Sequence, residues 1–238
     1  RVELEHVGLN HLTWERAVRV DGVDRLPELL ERHGDQIAAG LGLPTALLRT
    51  LRAIPSSYLR YYYATSEVLD EQRHRPSRAE EVIAIERQLL ELYRDPALDT
   101  KPELLERRGG AYYSEAAAAL IASLHAGTGD VQVVDVRNDG ALPDLPDDAV
   151  VEVPARVDAA GARPLPQAPL APELLGLVQQ AKAYERLAVR AALSGDRAVA
   201  LKALLANPLV REYRVAAPLL DALLERSRPY LPRFFPAG

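Results

Sequence analysis

Apolar and polar residues alternate along the first twenty positions of the chain. The runs RVELEHV and TWERAVRV both show the two-residue period of a half-buried β-strand. The dipeptide Asp21-Gly22 follows the second run and is a strong turn signal. The sequence therefore predicts that the chain starts with two strands.

From Leu26 to about Arg94 the apolar residues instead recur at three- and four-residue intervals, which is typical of amphipathic helices. This spacing holds in the runs LPELLERH, LPTALLRTLRAI and SSYLRYYYATSEVLDEQR. In the next run, SRAEEVIAIERQLLELYRD, Ser77 and Glu80 stand in capping-box register, so we predict that a helix begins there. Beyond the pair Gly109-Gly110, the run YYSEAAAALIASLH predicts one more helix.

The period changes again in the second half of the chain. VQVVDVRNDG reads as a strand and a turn, and AVVEVPARVDAAGARPL reads as a hairpin that turns at Ala160-Gly161. The longest predicted helix has Pro172 near its first turn and Gly195 just past its end, and two more helices follow. We predict one α+β domain, helix-rich, with a mainly antiparallel sheet divided between the start and the middle of the chain.

Composition and charge narrow the class of protein. The chain has 238 residues, 48% hydrophobic and 26% charged, as in ordinary globular proteins, and its net charge of −5 argues against nucleic acid as a partner. No apolar run approaches the ~20 residues of a membrane span, so no membrane association is expected. The absence of cysteine fits a cytoplasmic location. Because the chain begins at Arg1 on a strand pattern and lacks methionine, we expect it to be the C-terminal part of something longer.

The stretch VGLNHLTW, residues 7–14, places an Asn-His pair inside an apolar run. His11 has two interpretations: a strand-end histidine satisfied by a hydrogen bond in the core, or a metal ligand. His6 lies five positions away and would face the other side of a strand, so the two histidines cannot form a local chelating pair. Spacing alone favours the core histidine.

Three further stretches are candidate ligand-binding segments. In YLRYYY, Tyr58, Tyr61 and Tyr62 share a helical face, and the need of each buried hydroxyl for a partner favours a polar pocket over plain aromatic packing. Arg78 stands in the first turn of its helix, where it is either merely exposed or, with the helix N-terminus, a phosphate site. The segment Glu106–Ser114 fits a ligand-facing loop and a simple turn equally well.

No single catalytic motif is present, since GxSxG, HExxH, P-loop and GxGxxG patterns are all absent. Several weaker motifs nevertheless occur in one order along nearly the whole chain: GLNH at 8–11, PSSYLRYYY at 55–63, SRAEEV at 77–82, RRGGAYYSEAA at 107–117, NDGALPDLPDDAVVEVP at 138–154, LVQQAKAYERLAV at 177–189 and ANPLV at 206–210. Together they resemble the NAD- and manganese-dependent glycosidases of glycoside hydrolase family 4, and within it the 6-phospho-β-glucosidases most.

This resemblance implies an architecture. Members of the family join an N-terminal Rossmann-type NAD domain to a C-terminal domain like that of lactate and malate dehydrogenases. Residues 1–238 would be that C-terminal metal- and substrate-binding domain, without the NAD domain and without the cysteine that the family uses as a metal ligand. The fragment alone would then be inactive. The resemblance also implies a homodimer or homotetramer.

The resemblance implies a mechanism as well. The substrate would be a phosphorylated disaccharide or β-glucoside 6-phosphate, with NAD and Mn²⁺, or another divalent metal, as cofactors. NAD would oxidise C3 of the sugar, a tyrosine would remove the C2 proton, the aglycone would leave from C1, water would add there, and the C3 ketone would be reduced again. His11 would be the metal ligand, Asn10 a hydroxyl or metal-shell contact, Tyr58 the base and Arg78 the residue that holds the 6-phosphate.

Some alternatives stay open. Tyr61 and Tyr62 compete with Tyr58 for the role of the base, because the tyrosine run is repetitive. The enzyme could also be a 6-phospho-α-glucosidase or an α-galactosidase of the same family. A third reading is a non-catalytic domain that binds a phosphosugar or mediates oligomerisation.

Overall fold

The computed structural model describes residues 2–109 and 113–236. The chain forms two compact units. The first comprises Arg1–Tyr63, Val133–Ala155 and Arg163–Gly238, and the second comprises Ala64–Gln132 and Arg156–Ala162. The assignment of the whole chain to one domain stays a prediction. The predicted loop at Glu106–Ser114 lies partly outside the described residues.

Seven strands of the described chain form one sheet, with the order β3-β2-β1-β6-β5. The short strands β4 and β7 pair with β2 and β6 outside this path. The pairs β1–β2, β1–β6, β2–β3 and β2–β4 are antiparallel, as predicted. The strands are β1 Val2–Leu9, β2 Leu12–Val20, β3 Val23–Asp24, β4 Ile54–Pro55, β5 Asp130–Arg137, β6 Val150–Asp158 and β7 Gly161–Pro164.

Helices make up most of the remaining described chain, which confirms the helix-rich α+β class. They are α1 Leu26–Leu41, α2 Thr45–Leu51, α3 Arg60–Tyr63, α4 Thr65–His74, α5 Arg78–Leu92, α6 Leu104–Arg108, α7 Tyr113–Ala126, α8 Pro172–Ser194, α9 Arg197–Ala206 and α10 Tyr213–Arg226. The predicted capping box is present, because the Ser77 side chain accepts from Glu80 N–H and the Glu80 carboxylate accepts from Ser77 N–H. None of the described helices is both long and apolar enough to cross a membrane.

Two predicted helices end earlier than their apolar spacing suggests. The helix predicted over residues 43–54 stops at Leu51, and Ile54 and Pro55 pair instead with β2. Proline lacks an N–H and disfavours helical backbone in the residue before it, so Pro55 favours this extended segment.

The helix predicted over residues 56–73 is interrupted. It begins as a 3-10 turn at Ser57–Leu59, continues as α3, and breaks at Ala64 before α4. The apolar positions on the two sides of Ala64 belong to different units, with Leu59 buried in the first and Val68 in the second. Packing within each unit therefore overrides the helical propensity that one continuous run would express.

The core of the first unit lies between the sheet and α8. Buried apolar side chains from β1, β2 and β6 pack against buried residues from α8. These residues are Val7, Leu9, Trp14, Val151 and Val153 from the strands, and Leu174, Leu177, Val178 and Ala181 from the helix. This packing fixes the end of the β1–β2 hairpin relative to α8.

His6 lies on the opposite face of the sheet from Val7, between two carboxylates. Its Nδ1 lies 2.6 Å from Glu15 Oε1, and its Nε2 lies 3.1 Å from Glu152 Oε1. Burial opposes the charged imidazole, but the hydrogen bonds and charges of Glu15 and Glu152 outweigh it and raise the pKa of His6 to about 9. The charged histidine thus joins β1, β2 and β6 in the first unit.

Replacing His6 with glutamine is expected to destabilise the chain in a pH-dependent way. Because the pKa rises from 6.5 to about 9 on folding, the stabilisation is fully present below pH 6.5 and is lost as the pH rises through 9. At pH 6 the free energy of unfolding of the wild type should exceed that of His6→Gln by up to about 3 kcal/mol. At pH 10, where His6 is neutral, the part of this difference that comes from the charged imidazole should be absent. Urea denaturation at several pH values measures this difference, and a difference independent of pH would contradict the assignment. His33→Gln, at an exposed position on α1, is the control.

Candidate functional site

Asn10 and His11 form the two-residue turn of the β1–β2 hairpin, since Leu9 pairs with Leu12. Both side chains are exposed, which corrects the expectation of a buried pair and excludes the core-histidine interpretation. His11 has a left-handed backbone with φ 62°, uncommon for residues other than glycine. The first residue of the GLNH motif, Gly8, has to be glycine, because a Cβ at this position would lie 2.2 Å from Leu12 O.

Tyr58 lies directly against His11. The ring centroids are 4.3 Å apart and the ring planes are inclined by 50°. Two contacts position this tyrosine: Ser56 N–H donates to Thr13 O on β2 over 2.8 Å, and Ser56 Oγ accepts from Tyr58 N–H over 3.4 Å. The structure therefore brings together two site residues that are 47 positions apart in the sequence.

Asn10 is also fixed. Its Nδ2 donates to Asp135 Oδ2 on β5 over 2.8 Å, which leaves Oδ1 as the acceptor of the amide. The sequence analysis did not identify Asp135. The only feature that could have drawn attention to it is that it is an acidic residue inside the strand run VQVVDVR.

Asn10, His11 and Tyr58 line one cavity of about 290 Å³ in the first unit. Tyr61 and Tyr62 line it as well, so the shared face predicted for Tyr58, Tyr61 and Tyr62 does form part of a pocket. Three polar residues of this cavity escaped the sequence analysis: Tyr184 and Glu185 from α8, and Asn207 just after α9. They lie in the stretches AKAYE and ANPLV, whose order along the chain gave no sign that they approach the hairpin.

The four neighbouring tyrosines differ in environment. Tyr62 and Tyr63 make an edge-to-face contact at 5.2 Å and pack against the hydrophobic core. Burial raises the pKa of Tyr63, which disfavours the phenolate form that would act as a base at neutral pH. Tyr58 is 51% exposed and is the tyrosine whose ring contacts His11.

A complete metal site is not present in the part of the chain that the structure describes, where no three histidine, cysteine or acidic side chains converge. One turn thus carries two possible ligands: the exposed imidazole nitrogens of His11, and Oδ1 of Asn10, which has no hydrogen-bond partner among the described residues. They would fit one side of a divalent metal site, with the remaining ligands supplied by other groups.

Arg78 belongs to the second unit and opens α5. Its Nη2 donates to the carbonyl oxygens of Arg107 and Arg108 over 2.8 and 3.1 Å, and its Nη1 donates to Glu81 over 3.3 Å. The side chain is 57% exposed. The arginine thus connects α5 with the end of α6, where the glycine-paired segment begins.

Comparisons with known proteins agree with these motifs. Residues 6–210 match the family model described as the Family 4 glycosyl hydrolase C-terminal domain. The chain is 41% identical to a probable 6-phospho-beta-glucosidase of Bacillus subtilis (strain 168), over 99% of this chain and 56% of that protein.

Solved structures give the same result. The 6-phospho-beta glucosidase from Thermotoga maritima, determined with manganese, NAD+ and glucose-6-phosphate, superposes with a TM-score of 0.89 at 36% identity, over 97% of this chain and 55% of that one. A 6-phospho-alpha-glucosidase from gut microorganisms, determined with NAD and glucose-6-phosphate, gives a TM-score of 0.83 at 27% identity, over 97% and 56%. The chain spans about half the length of the curated relatives it matches. It belongs to glycoside hydrolase family 4, and it corresponds to the C-terminal domain of that family.

Proposed function

We propose that this chain is the metal- and substrate-binding part of an NAD- and manganese-dependent 6-phospho-β-glucosidase, and that the 238 residues alone do not turn over substrate. The contact of Tyr58 with His11 beside a cavity carries the proposal, because it joins a candidate base to a candidate metal ligand. The relatives support the substrate class, since the T. maritima enzyme is a 6-phospho-beta glucosidase and its structure contains manganese, NAD+ and glucose-6-phosphate. A cytoplasmic homodimer or homotetramer remains part of this proposal.

His11 would hold the metal, with the Oδ1 of Asn10 as a nearby contact for the metal shell or a sugar hydroxyl. When bound, NAD supplies oxidation at C3 of the sugar, and the divalent metal polarises the oxygens at C2 and C3. The chain's own residues orient the ring. Asp135 keeps the Asn10 amide in position through a hydrogen bond of 2.8 Å.

Tyr58 would remove the C2 proton. A free tyrosine has a pKa near ~10, so a base of this kind needs a nearby cation at neutral pH. The contact of its ring with His11 places it next to the residue proposed to bring that cation. Loss of the C2 proton would then allow the aglycone to leave from C1. Water would add there, and reduction of the C3 ketone would restore the sugar and NAD. Tyr61 is the first alternative, because it also lines the cavity and is 38% exposed.

Arg78 would hold the 6-phosphate. Its guanidinium is exposed, and Nε has no hydrogen-bond partner among the described residues, so donors remain for an anion. Arg78 also has a structural role that competes with this one, because its Nη2 donates to the carbonyl groups at the end of α6 and so connects α5 with α6.

Replacing Arg78 with alanine in the full-length enzyme is expected to raise KM for phosphorylated substrates about tenfold or more, because a charge-assisted contact to phosphate is lost. Steady-state kinetics measures this change. Arg94→Ala is the control. Arg94 lies just after the C-terminal end of α5, is exposed, and, like Arg78, forms an ion pair with a glutamate three positions away. An unchanged KM together with a lower melting temperature would assign Arg78 to structure alone.

The substrate panel separates the proposed function from its alternatives. The full-length protein, supplied with NAD and Mn²⁺, should hydrolyse nitrophenyl β-glucoside 6-phosphate faster than the α-anomer and than an unphosphorylated galactoside. A preference for the α-anomer would support a 6-phospho-α-glucosidase, which relatives of that name make the second candidate. Phosphosugar binding without any hydrolysis would support a non-catalytic domain.

A further inference from the structure

A groove beside the candidate cavity carries polar chemistry that the proposed reaction does not use. It has a volume of about 390 Å³ and lies in the first unit. One wall is a single face of α8, with residues at helical spacing: Lys182, Glu185, Arg186, Val189 and Arg190. Residues 148–150, at the start of β6, form the other wall.

Glu185 lies where the two spaces meet, because it lines both the cavity that contains Tyr58 and the groove. Lys182 holds it in place. The Lys182 ammonium is buried, donates to Val150 O over 2.7 Å and makes a short contact with Glu185 Oε2. Glu185 Oε1 has no hydrogen-bond partner among the described residues and is available as an acceptor.

Two arginines also line the groove. Arg186 pairs with Asp148 across the groove, so its charge is already compensated. The guanidinium of Arg190 makes no hydrogen bond or ion pair within the described residues and is exposed. An acceptor and an exposed guanidinium that line the same groove suit a ligand with many hydroxyl groups, which both donate and accept.

We propose that this groove binds the sugar aglycone of the substrate, with Glu185 accepting a hydroxyl and Arg190 donating to one. The inference rests on the proposed function, which places the reacting phosphorylated ring against His11 and Tyr58. A second sugar ring, attached at C1, must then extend beyond the cavity. The groove adjoins the cavity through Glu185 and is open to solvent, as a departing group requires.

The test compares two substrates of the full-length enzyme with the same reacting ring. Cellobiose 6′-phosphate carries a glucose aglycone, whereas p-nitrophenyl β-glucoside 6-phosphate carries an aglycone without hydroxyls. The measured quantity is kcat/KM for the first divided by kcat/KM for the second. In Glu185→Gln the single amide oxygen should turn towards the Lys182 ammonium, so the NH₂ group that faces the groove cannot accept a hydroxyl and the ratio should fall about tenfold. Arg190→Ala should lower the ratio in the same direction, because it loses a donor to the sugar aglycone.

The control is Gln179→Ala, an exposed position on α8 that lines neither the cavity nor the groove, and it should leave the ratio at the wild-type value. An unchanged ratio in both groove variants, with both substrates hydrolysed by the wild type, would overturn the aglycone site alone. A wild-type enzyme that hydrolyses neither substrate would overturn the proposed function and this site with it. Arg190 is exposed, so its variant keeps the test decisive if Glu185→Gln fails to fold.

Discussion

Replacing Tyr58 with phenylalanine in the full-length enzyme is expected to lower kcat by about 10²–10⁴-fold, the usual contribution of a positioned acid or base. The change removes one hydroxyl and keeps the ring, so the contact with His11 at 4.3 Å should survive. If Tyr58 is the base, the variant should also stop exchanging the C2 proton of the substrate with solvent. Deuterium incorporation followed by NMR measures that exchange separately from turnover.

Tyr61→Phe is the matched control, because Tyr61 lines the same cavity and is exposed to a similar degree. It should retain the C2 exchange and most of the turnover. Exchange that persists in Tyr58→Phe but disappears in Tyr61→Phe would transfer the role of base to Tyr61. Exchange that persists in both variants would exclude both residues.

Replacing His11 with asparagine is expected to lower manganese-dependent turnover by about 10²-fold or more, since metal polarisation contributes several kcal/mol to the barrier. Asparagine suits this position because it tolerates the left-handed backbone, here φ 62°, better than most residues. The loss should therefore come from the missing imidazole and leave the hairpin intact. The Mn²⁺ concentration that gives half-maximal activity should rise in parallel.

His33→Asn serves as the control, because His33 is another exposed histidine, in the middle of α1. It should leave the Mn²⁺ dependence unchanged. A His11→Asn enzyme with wild-type turnover and wild-type Mn²⁺ dependence would remove His11 from the metal site. Circular dichroism and melting temperature show whether either variant changes the fold.

Local chemistry explains which parts of the fold were predictable. The capping box at Ser77 and Glu80 and the hairpin between β6 and β7 depend on residues close in sequence, and both are present, although the turn lies at residues 159–160, one position before the predicted Ala160-Gly161. The pairing of Ile54 and Pro55 with β2 depends on residues about 40 positions away, which periodicity does not report. The break at Ala64 follows from packing in two units, and no local signal marks it.

In the candidate site, too, the residues themselves could be predicted from the sequence, whereas the contacts between distant residues could not. The sequence singled out Asn10, His11 and Tyr58, and the structure places them around one cavity. The exposed turn at Asn10 and His11 was not predicted, because an apolar run looks buried whether or not its polar residues occupy a hairpin tip. Asp135 and Glu185 were missed, since single acidic residues in a strand or helix become informative only when folding brings them beside the hairpin.

The central claim is that this chain contributes half of a redox-dependent glycosidase site. Its most direct test is the release of nitrophenol from nitrophenyl β-glucoside 6-phosphate by the full-length protein and by the 238-residue chain, each with and without NAD and Mn²⁺. We predict release by the full-length protein only when both cofactors are present, and none by the chain alone. Release without NAD, or no release from either anomer by either protein, would contradict the account.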